Sequence, residues 1–325
     1  MKLTIAIPTY NREKTLARTL DSVERQSLDD VNILVLDNAS SDRTEEIVKY
    51  YIEKYGNVQY KRNEENIGAD ANFLNCYREA TSEYIYILSS DDVLVEGAVE
   101  TILKKIEELG GADLFFLNHY GFSGDNYLKS VGETMFLSTT EKDYVTTDKT
   151  RFIRDVKYQL TYVSSFIISK ALFNRVKKPE QYVGTSFLHA CIALEGTKNI
   201  DTRLAVLHNP LVAQDVTPGA TSIINRYFEV FAKKQYHVLC EVAPQSGYDR
   251  NLMNHIFFRR AIETWPRAII AMRMMNVKNW KQNYEDFGKP LVKKSRQLKI
   301  AMFPAIYCPV PILKAVKRVY KTIKK

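Results

Sequence analysis

The first 118 residues alternate short apolar runs with longer stretches in which apolar residues recur at helical spacing. The runs predict strands at Leu3 to Pro8, Asn32 to Asp37, Val58 to Lys61, Tyr84 to Leu88 and Asp113 to Asn118. Between them the spacing predicts helices from about Glu13 to Arg25, Thr44 to Lys54, Ala71 to Ala80 and Val95 to Leu109. Strand and helix in alternation build βαβ units and a largely parallel sheet covered on both faces. Asp42, with Glu45 three residues on, predicts a capping box at the start of the second helix.

From His119 to Thr147 the pattern weakens into a loop or hairpin. Further strands are expected at Tyr162 to Ser169 and Leu204 to Ala213, with a helix from about Thr185 to Leu194 between them. Beyond Ser222 the signals are helical. The expected organisation is therefore an α/β domain over residues 1–222 and a helical module over 223–325.

Charge sharpens that division. The chain of 325 residues carries a formal +8, but Phe287 to Lys325 holds 11 Lys and Arg and no acid, which leaves −3 for the first 286. Ile300 to Leu313 is apolar between lysines and is interrupted by Pro304, Pro309 and Pro311, too short and too broken to span a bilayer. It reads as an interfacial anchor on an anionic membrane, with a solvated basic tail as the alternative. Nucleic acid is not expected as a partner, because the basic run lacks interleaved aromatic platforms. Cys76, Cys191, Cys240 and Cys308 lie far apart, and the N-terminal apolar run ends at Pro8 before charged residues. Both features point to a reduced, cytoplasmic setting without an export signal.

The polar residues gather where a parallel sheet binds ligands, beyond the carboxyl ends of its strands. Strand one ends in Pro8-Thr9-Tyr10-Asn11-Arg12, strand two in Asp37-Asn38-Ala39-Ser40-Ser41-Asp42, strand three leads to Asn66-Ile67-Gly68, and strand four ends in Ser89-Ser90-Asp91-Asp92. Adjacent carboxylates after an apolar strand repel unless they are solvated or joined by a cation. Hard oxygen ligands suit Mg²⁺ or Mn²⁺ on a diphosphate.

In order and spacing these four motifs resemble the family 2 glycosyltransferases of the GT-A fold, strongly to about residue 120 and weakly to about 220. The resemblance implies a nucleotide-sugar site with Pro8, Thr9, Tyr10, Arg12, Asp37, Asn66, Gly68, Ser90 and Asp91 around the donor. It puts Asp91 and Asp92 on the metal, and Ser89 where the family carries a further Asp. It also implies inversion at the anomeric carbon and, with the basic tail, a lipid-linked or polysaccharide acceptor at the inner membrane face.

The family's acidic pair at the start of a later helix is replaced here by Thr185 and Ser186. His189, one turn on, is the first candidate for the base, since an imidazole titrates near neutral pH. Asp215 is the second. Gln214 to Ser222 carries the Gly and Pro of a lid or an ordinary connector. Nucleotidyl transfer, and a catalytically degenerate nucleotide-binding subunit, are the alternative functions at this stage.

Overall fold

β1 (Leu3–Thr9) is buried at every position, as a strand in the middle of a sheet with both faces covered must be. In the computed structural model, which describes residues 1–124, 142–199, 201–217 and 222–312, β1 pairs in parallel with β2 (Val31–Asp37), and β2 with β3 (Val58–Arg62). On its other side β1 pairs in parallel with β4 (Tyr84–Ile87). The chain thus winds outward from β1 in one direction and then returns to its other edge. That reversal opens a crevice beyond the carboxyl ends of β1 and β4.

The crossovers are α1 (Leu16–Glu24), α2 (Thr44–Tyr55) and α3 (Ala69–Glu79). β5 (Val93–Leu94) and α4 (Ala98–Glu108) follow. The sheet is extended by β6 (Leu114–Phe122), β7 (Tyr144–Thr146), β8 (Phe166–Ser169) and β9 (Leu204–Asp215), giving the order β3-β2-β1-β4-β8-β6-β9-β5, with β7 also on β9. β8 is antiparallel to both β4 and β6, whereas β9 runs parallel to β6. This mixed, mostly parallel sheet flanked by helices is GT-A-like.

β9 carries a register shift opposite Asn118, whose side-chain amide donates to the His208 carbonyl at 2.6 Å. Beyond the shift it pairs antiparallel with β5, Val93 opposite Ala213. The expected sheet and crossovers are present, with three local differences. The strand expected over Tyr162 to Ser169 is a strand only from Phe166, because Tyr162 to Ser165 turn so that Tyr162 and Ser164 reach across to Asp92. The helix expected from Thr185 is α7 (Leu188–Gly196), after α5 (Lys149–Val156) and α6 (Lys170–Arg175). Asp42 and Glu45 form no capping box: Asp42 accepts from Thr44 and from the Glu13 N–H, and Glu45 faces Lys49 and Arg62.

The chain divides into two units, residues 1–220 with 245–248, and 221–244 with the residues from 249 on. The second is helical among its described residues. Its longest element, Arg250–Met274, is capped by the Asp249 carboxylate on the Leu252 N–H at 2.6 Å. Trp265 is 1% exposed and meets Phe228 and Phe257 edge-on at the core of that unit. The four cysteines are free. No helix among the described residues is long and apolar enough to cross a membrane. The expected lid lies partly outside the described residues, since 218–221 are not among them, and so do the basic positions Lys314, Lys317, Arg318 and Lys321.

Candidate active site

Thr9 and Asp37 face each other across the β1–β2 ladder, at the last register position of both strands. Thr9 is 2% exposed, and its hydroxyl has no hydrogen-bond partner among the described residues. Such a buried hydroxyl is an unmet hydrogen-bonding group at the carboxyl end of β1. Asp37 is wholly buried. Its Oδ1 accepts from the Ser40 N–H (3.0 Å) and hydroxyl (2.5 Å), and its Oδ2 accepts from Tyr60 at 2.8 Å. Arg62 Nε lies 3.5 Å from Oδ2, so each oxygen of the carboxylate is met by two neighbours. Burial and the Asp37 contact together push the Tyr60 hydroxyl well above its ordinary pKa.

The loops after β1 and β2 are zipped together. The Asn11 N–H donates to Ser40 Oγ at 2.9 Å, the Arg12 N–H to Thr44 Oγ1 at 2.8 Å, and the Ser41 N–H to Asn11 Oδ1 at 2.8 Å. Asn11 and Ala39 hold left-handed backbone, φ 52° and 61°, a conformation that side chains other than Gly adopt at a cost. Pro8 is buried in β1, and Tyr10 stands 43% exposed beside it. The third loop is fixed by Asn66, whose Oδ1 accepts from the Asn38 amide (2.8 Å) and the Gly68 N–H (2.9 Å). Gly68, with φ 87° and ψ 159°, heads α3 in a conformation reserved for glycine. The expected cluster around the donor is therefore brought to one end of four adjoining parallel strands.

The two carboxylates after β4 are not equivalent. Asp91 is partly exposed (18%), accepts from the Ser89 hydroxyl at 2.5 Å and has Arg12 Nη2 3.5 Å from its Oδ2. Asp92 is turned into the protein. Its Oδ2 accepts from Tyr162 and Ser164 at 2.6 Å each, and its Oδ1 from the Asp215 N–H at 3.0 Å. Burial, reinforced by the Asp91 charge, pushes the Asp92 carboxyl up to about 7 against the pull of those three donors. Asp92's oxygens are engaged in tying β4, the Tyr162 turn and the end of β9 together, which leaves Asp91 the freer of the two carboxylates expected on the metal. Among the described residues no three His, Cys, Asp or Glu side chains converge as a metal cage. Asp91 fits a cation that takes one protein carboxylate and completes its shell with phosphate oxygens and water, as Mg²⁺ commonly does.

The two base candidates, His189 and Asp215, sit in different surroundings. His189 is 3% exposed, set between the rings of Phe73 and Phe187 at centroid distances of 6.3 and 6.4 Å. Burial drops its pKa from 6.5 to about 4, which leaves it neutral at pH 7 and enclosed. Asp215 is at the site, yet its Oδ2 accepts from Arg18 at 2.8 Å and its Oδ1 from the Thr217 N–H at 2.8 Å. Burial opposes its ionisation, but the bonds from Thr217 and Arg18 outweigh that and hold its carboxyl below the usual range. Asp215 is thus engaged as the counter-ion of Arg18.

The His189 assignment carries a pH test. The unfolded chain takes up a proton near pH 6.5 and the folded chain only near 4, so this group's contribution is fully present above 6.5 and lost as pH falls through that window. His189→Phe is expected to recover on the order of 3 kcal/mol of stability at pH 4 relative to pH 7. Urea titrations of both proteins at the two pH values measure it, and parallel pH profiles would reject the enclosed, neutral His189.

Sequence reading missed a stripe on α1. Thr15, Arg18, Thr19, Ser22 and Gln26 recur at i, i+3, i+4, i+7 and i+11, and they meet successive backbone groups of residues 90–95. Thr15 Oγ1 donates to the Ser90 carbonyl (2.9 Å), Arg18 to that of Asp91 (2.9 Å), Thr19 Oγ1 to that of Asp92 (2.8 Å) and Gln26 to that of Val95 (3.1 Å). Ser22 Oγ accepts from the Leu94 N–H at 3.0 Å. Arg18 also stacks its guanidinium 4.7 Å over the Phe122 ring, so one cation joins α1, the Asp91 loop, β6 and Asp215. The signal was present as polar residues at helical spacing, interleaved with buried Leu16, Leu20 and Val23. Asp70 gave none. Its carboxylate accepts from the N–H groups of Gly184 (2.8 Å) and Ser186 (2.7 Å), tying the start of α3 to the turn before α7.

A mixed, mostly parallel sheet with polar motifs gathered at the carboxyl ends of four adjoining strands is the architecture of the GT-A fold. The glycosyl transferase family 2 model matches residues 4–176, and the chain belongs to that family. It is 28% identical over 221 residues to the abequosyltransferase RfbV of Salmonella typhimurium, covering 65% of this chain and 66% of that one. It is 32% identical over 115 residues to the GalNAc(5)-diNAcBac-PP-undecaprenol beta-1,3-glucosyltransferase of Campylobacter jejuni, covering 35% and 37%. The chain thus spans between about a third and two thirds of these curated relatives. In fold it is similar to S. aureus TarS 1-349 in complex with UDP-GlcNAc (TM-score 0.62, 17% identity, 99% and 92% covered). It is also similar to a Pyrobaculum calidifontis mannosyltransferase in complex with GDP-Man and Mn²⁺ (TM-score 0.50, 14% identity, 98% and 87% covered).

Proposed function

We propose that the chain transfers a sugar from a nucleotide-diphosphate donor, UDP foremost, to a hydroxyl of a lipid-linked or polysaccharide acceptor, with inversion in one displacement. The observation that carries this reading is the gathering of Thr9, Asp37, the Asn66–Gly68 loop and Asp91 at the carboxyl ends of β3, β2, β1 and β4. Asp37, at the last register position of β2 opposite Thr9, is the carboxylate that this reading sets toward the imide edge of uracil. The Asn66 bonds hold the Gly68 turn open to the nucleoside, and Tyr10 borders the same crevice.

Toward the diphosphate, Arg12 offers a guanidinium and Asp91 a hard oxygen for Mn²⁺ or Mg²⁺. Such an ion, when bound, neutralises the charge that develops on the departing nucleotide diphosphate. The chain's own part is to fix Asp91: Ser89 orients its carboxylate, and Thr15, Arg18 and Thr19 hold the backbone on either side. Preorganisation of that kind spares the reaction a rearrangement cost at the moment of transfer. The transferase domain is residues 1–222. The reading sets it at the cytoplasmic face of the cell membrane, where lipid-linked acceptors are held, with the 223–325 module as its contact.

Thermal unfolding of the full chain with UDP, GDP, CDP or dTDP, each with and without Mn²⁺, tests the reading. UDP with Mn²⁺ is expected to raise the melting temperature, and to do so much less for Asp91→Asn, because a ligand that binds only the folded state stabilises it. No shift for any nucleotide, with or without the ion, would overturn the donor site.

A further inference from the structure

The helix Arg296–Tyr307 wears its larger apolar residues on the outside. Its inner face is Leu298, Met302 and Ala305, all buried, and it packs on Arg250–Met274. Ser295 accepts from the Leu298 N–H at 3.2 Å to cap its start, and Arg273 donates to the Ala305 and Cys308 carbonyls at 2.5 and 2.7 Å to close its end. The helix is therefore anchored at both termini and along one side.

On the other side Ile300, Phe303 and Tyr307 stand 65%, 65% and 68% exposed. Their spacing of three and four residues puts them in one stripe, and the Phe303 and Tyr307 rings touch with centroids 4.9 Å apart. Ile312, beyond the end of the helix, is 52% exposed. Arg296 and Lys299 are exposed on the same side, one turn before Ile300 and Phe303 respectively. The outer face thus runs from cationic to aromatic and apolar along a single helix.

A contiguous exposed apolar stripe marks a contact surface. Its charge surroundings choose the occupant. Phe287 to Lys325 carries 11 Lys and Arg and no acid, so a second copy would set cation against cation. An anionic lipid surface answers both halves of the stripe, phosphates to the cations and the acyl boundary to the apolar side chains. We infer that this outer face of Arg296–Tyr307 docks on an anionic lipid bilayer, with Ile300, Phe303 and Tyr307 in the headgroup boundary and Arg296 and Lys299 on its phosphates. The inference deepens the membrane part of the proposed function and rests on it, but its test needs no sugar donor.

The full chain is to be sedimented with vesicles of phosphatidylcholine alone, and of phosphatidylcholine mixed with phosphatidylglycerol. Binding is expected on the mixed vesicles, weak on the neutral ones and falling with salt. The triple variant Ile300→Ser, Phe303→Ser, Tyr307→Ser is expected to lose at least roughly tenfold in vesicle affinity. Arg296→Gln with Lys299→Gln is expected to lose about tenfold at low salt and to flatten the salt dependence. These positions are exposed, so melting temperatures should hold, and a nucleotide-induced shift should survive in both variants. Unchanged vesicle binding by the triple variant overturns the inference. So does a wild-type dimer in sedimentation velocity that the triple variant abolishes, which would give the stripe to a second copy. Vesicle binding without any nucleotide shift would instead reject the transferase reading and leave the lipid face standing.

Discussion

Asp91→Asn is expected to lower sugar transfer by about a thousandfold while moving the melting temperature by no more than about 2 °C. Asp91 is the carboxylate of its pair that solvent reaches, and among the described residues its carboxylate meets one hydroxyl, from Ser89, and one distant guanidinium, Arg12 at 3.5 Å. An amide keeps the size and accepts the Ser89 bond, so the fold loses little. What it loses is the charge that a divalent cation and its diphosphate require, and stabilisation of the leaving group is worth several kcal/mol in such sites. Transfer is to be measured with the donor that the nucleotide panel selects, over a range of Mn²⁺ concentrations. A folded Asp91→Asn protein with full activity removes the metal assignment.

The neighbouring substitution should do the opposite kind of damage. Asp92→Ala is expected to cost about 3–5 kcal/mol of unfolding free energy, because it leaves the Tyr162 and Ser164 hydroxyls and the Asp215 N–H without their acceptor. These donors come from two separate parts of the chain, the turn before β8 and the end of β9, so the loss falls on the packing of the whole site. Asp91→Ala should cost less than about 1 kcal/mol in the same assay, since a partly exposed ion pair contributes little. Urea denaturation of the three proteins at pH 7.5 compares them directly. Equal stability of Asp92→Ala and Asp91→Ala would mean that Asp92 does not anchor the site, and would leave it as free for the metal as Asp91. Two adjacent aspartates thus separate function from stability in one experiment.

The division between the two residues explains how the site is built. Asp91 is held in place from behind, by α1 through Thr15, Arg18 and Thr19 on backbone carbonyls, and by Asp92 through its three donors. Arg18 and Asp215 form a partly buried ion pair at 2.8 Å under the same loop. Removing either partner would leave the other charge without its counter-ion.

Much of this was written in the local pattern of the chain. The strands and crossovers of the first half follow from period-two and period-3.6 burial, which depend only on near neighbours in sequence. The four strand-end motifs follow from the turn chemistry of Asn, Asp, Ser and Gly, and in a βαβ sheet those ends necessarily point the same way. The roles within the motifs were not local. Asp91 and Asp92 are indistinguishable as letters; the turn at Tyr162 and the end of β9 decide which of them faces solvent. His189 was a base candidate by its place in the chain, and the packing of Phe73 and Phe187 around it made it a neutral core residue. Asp215 was a second, and folding brought Arg18 to it across a separation of 197 residues. Periodicity and turn propensity thus determined the sheet and the end of it that binds, whereas burial and partnership, which depend on contacts between distant segments, were decided only by the tertiary structure.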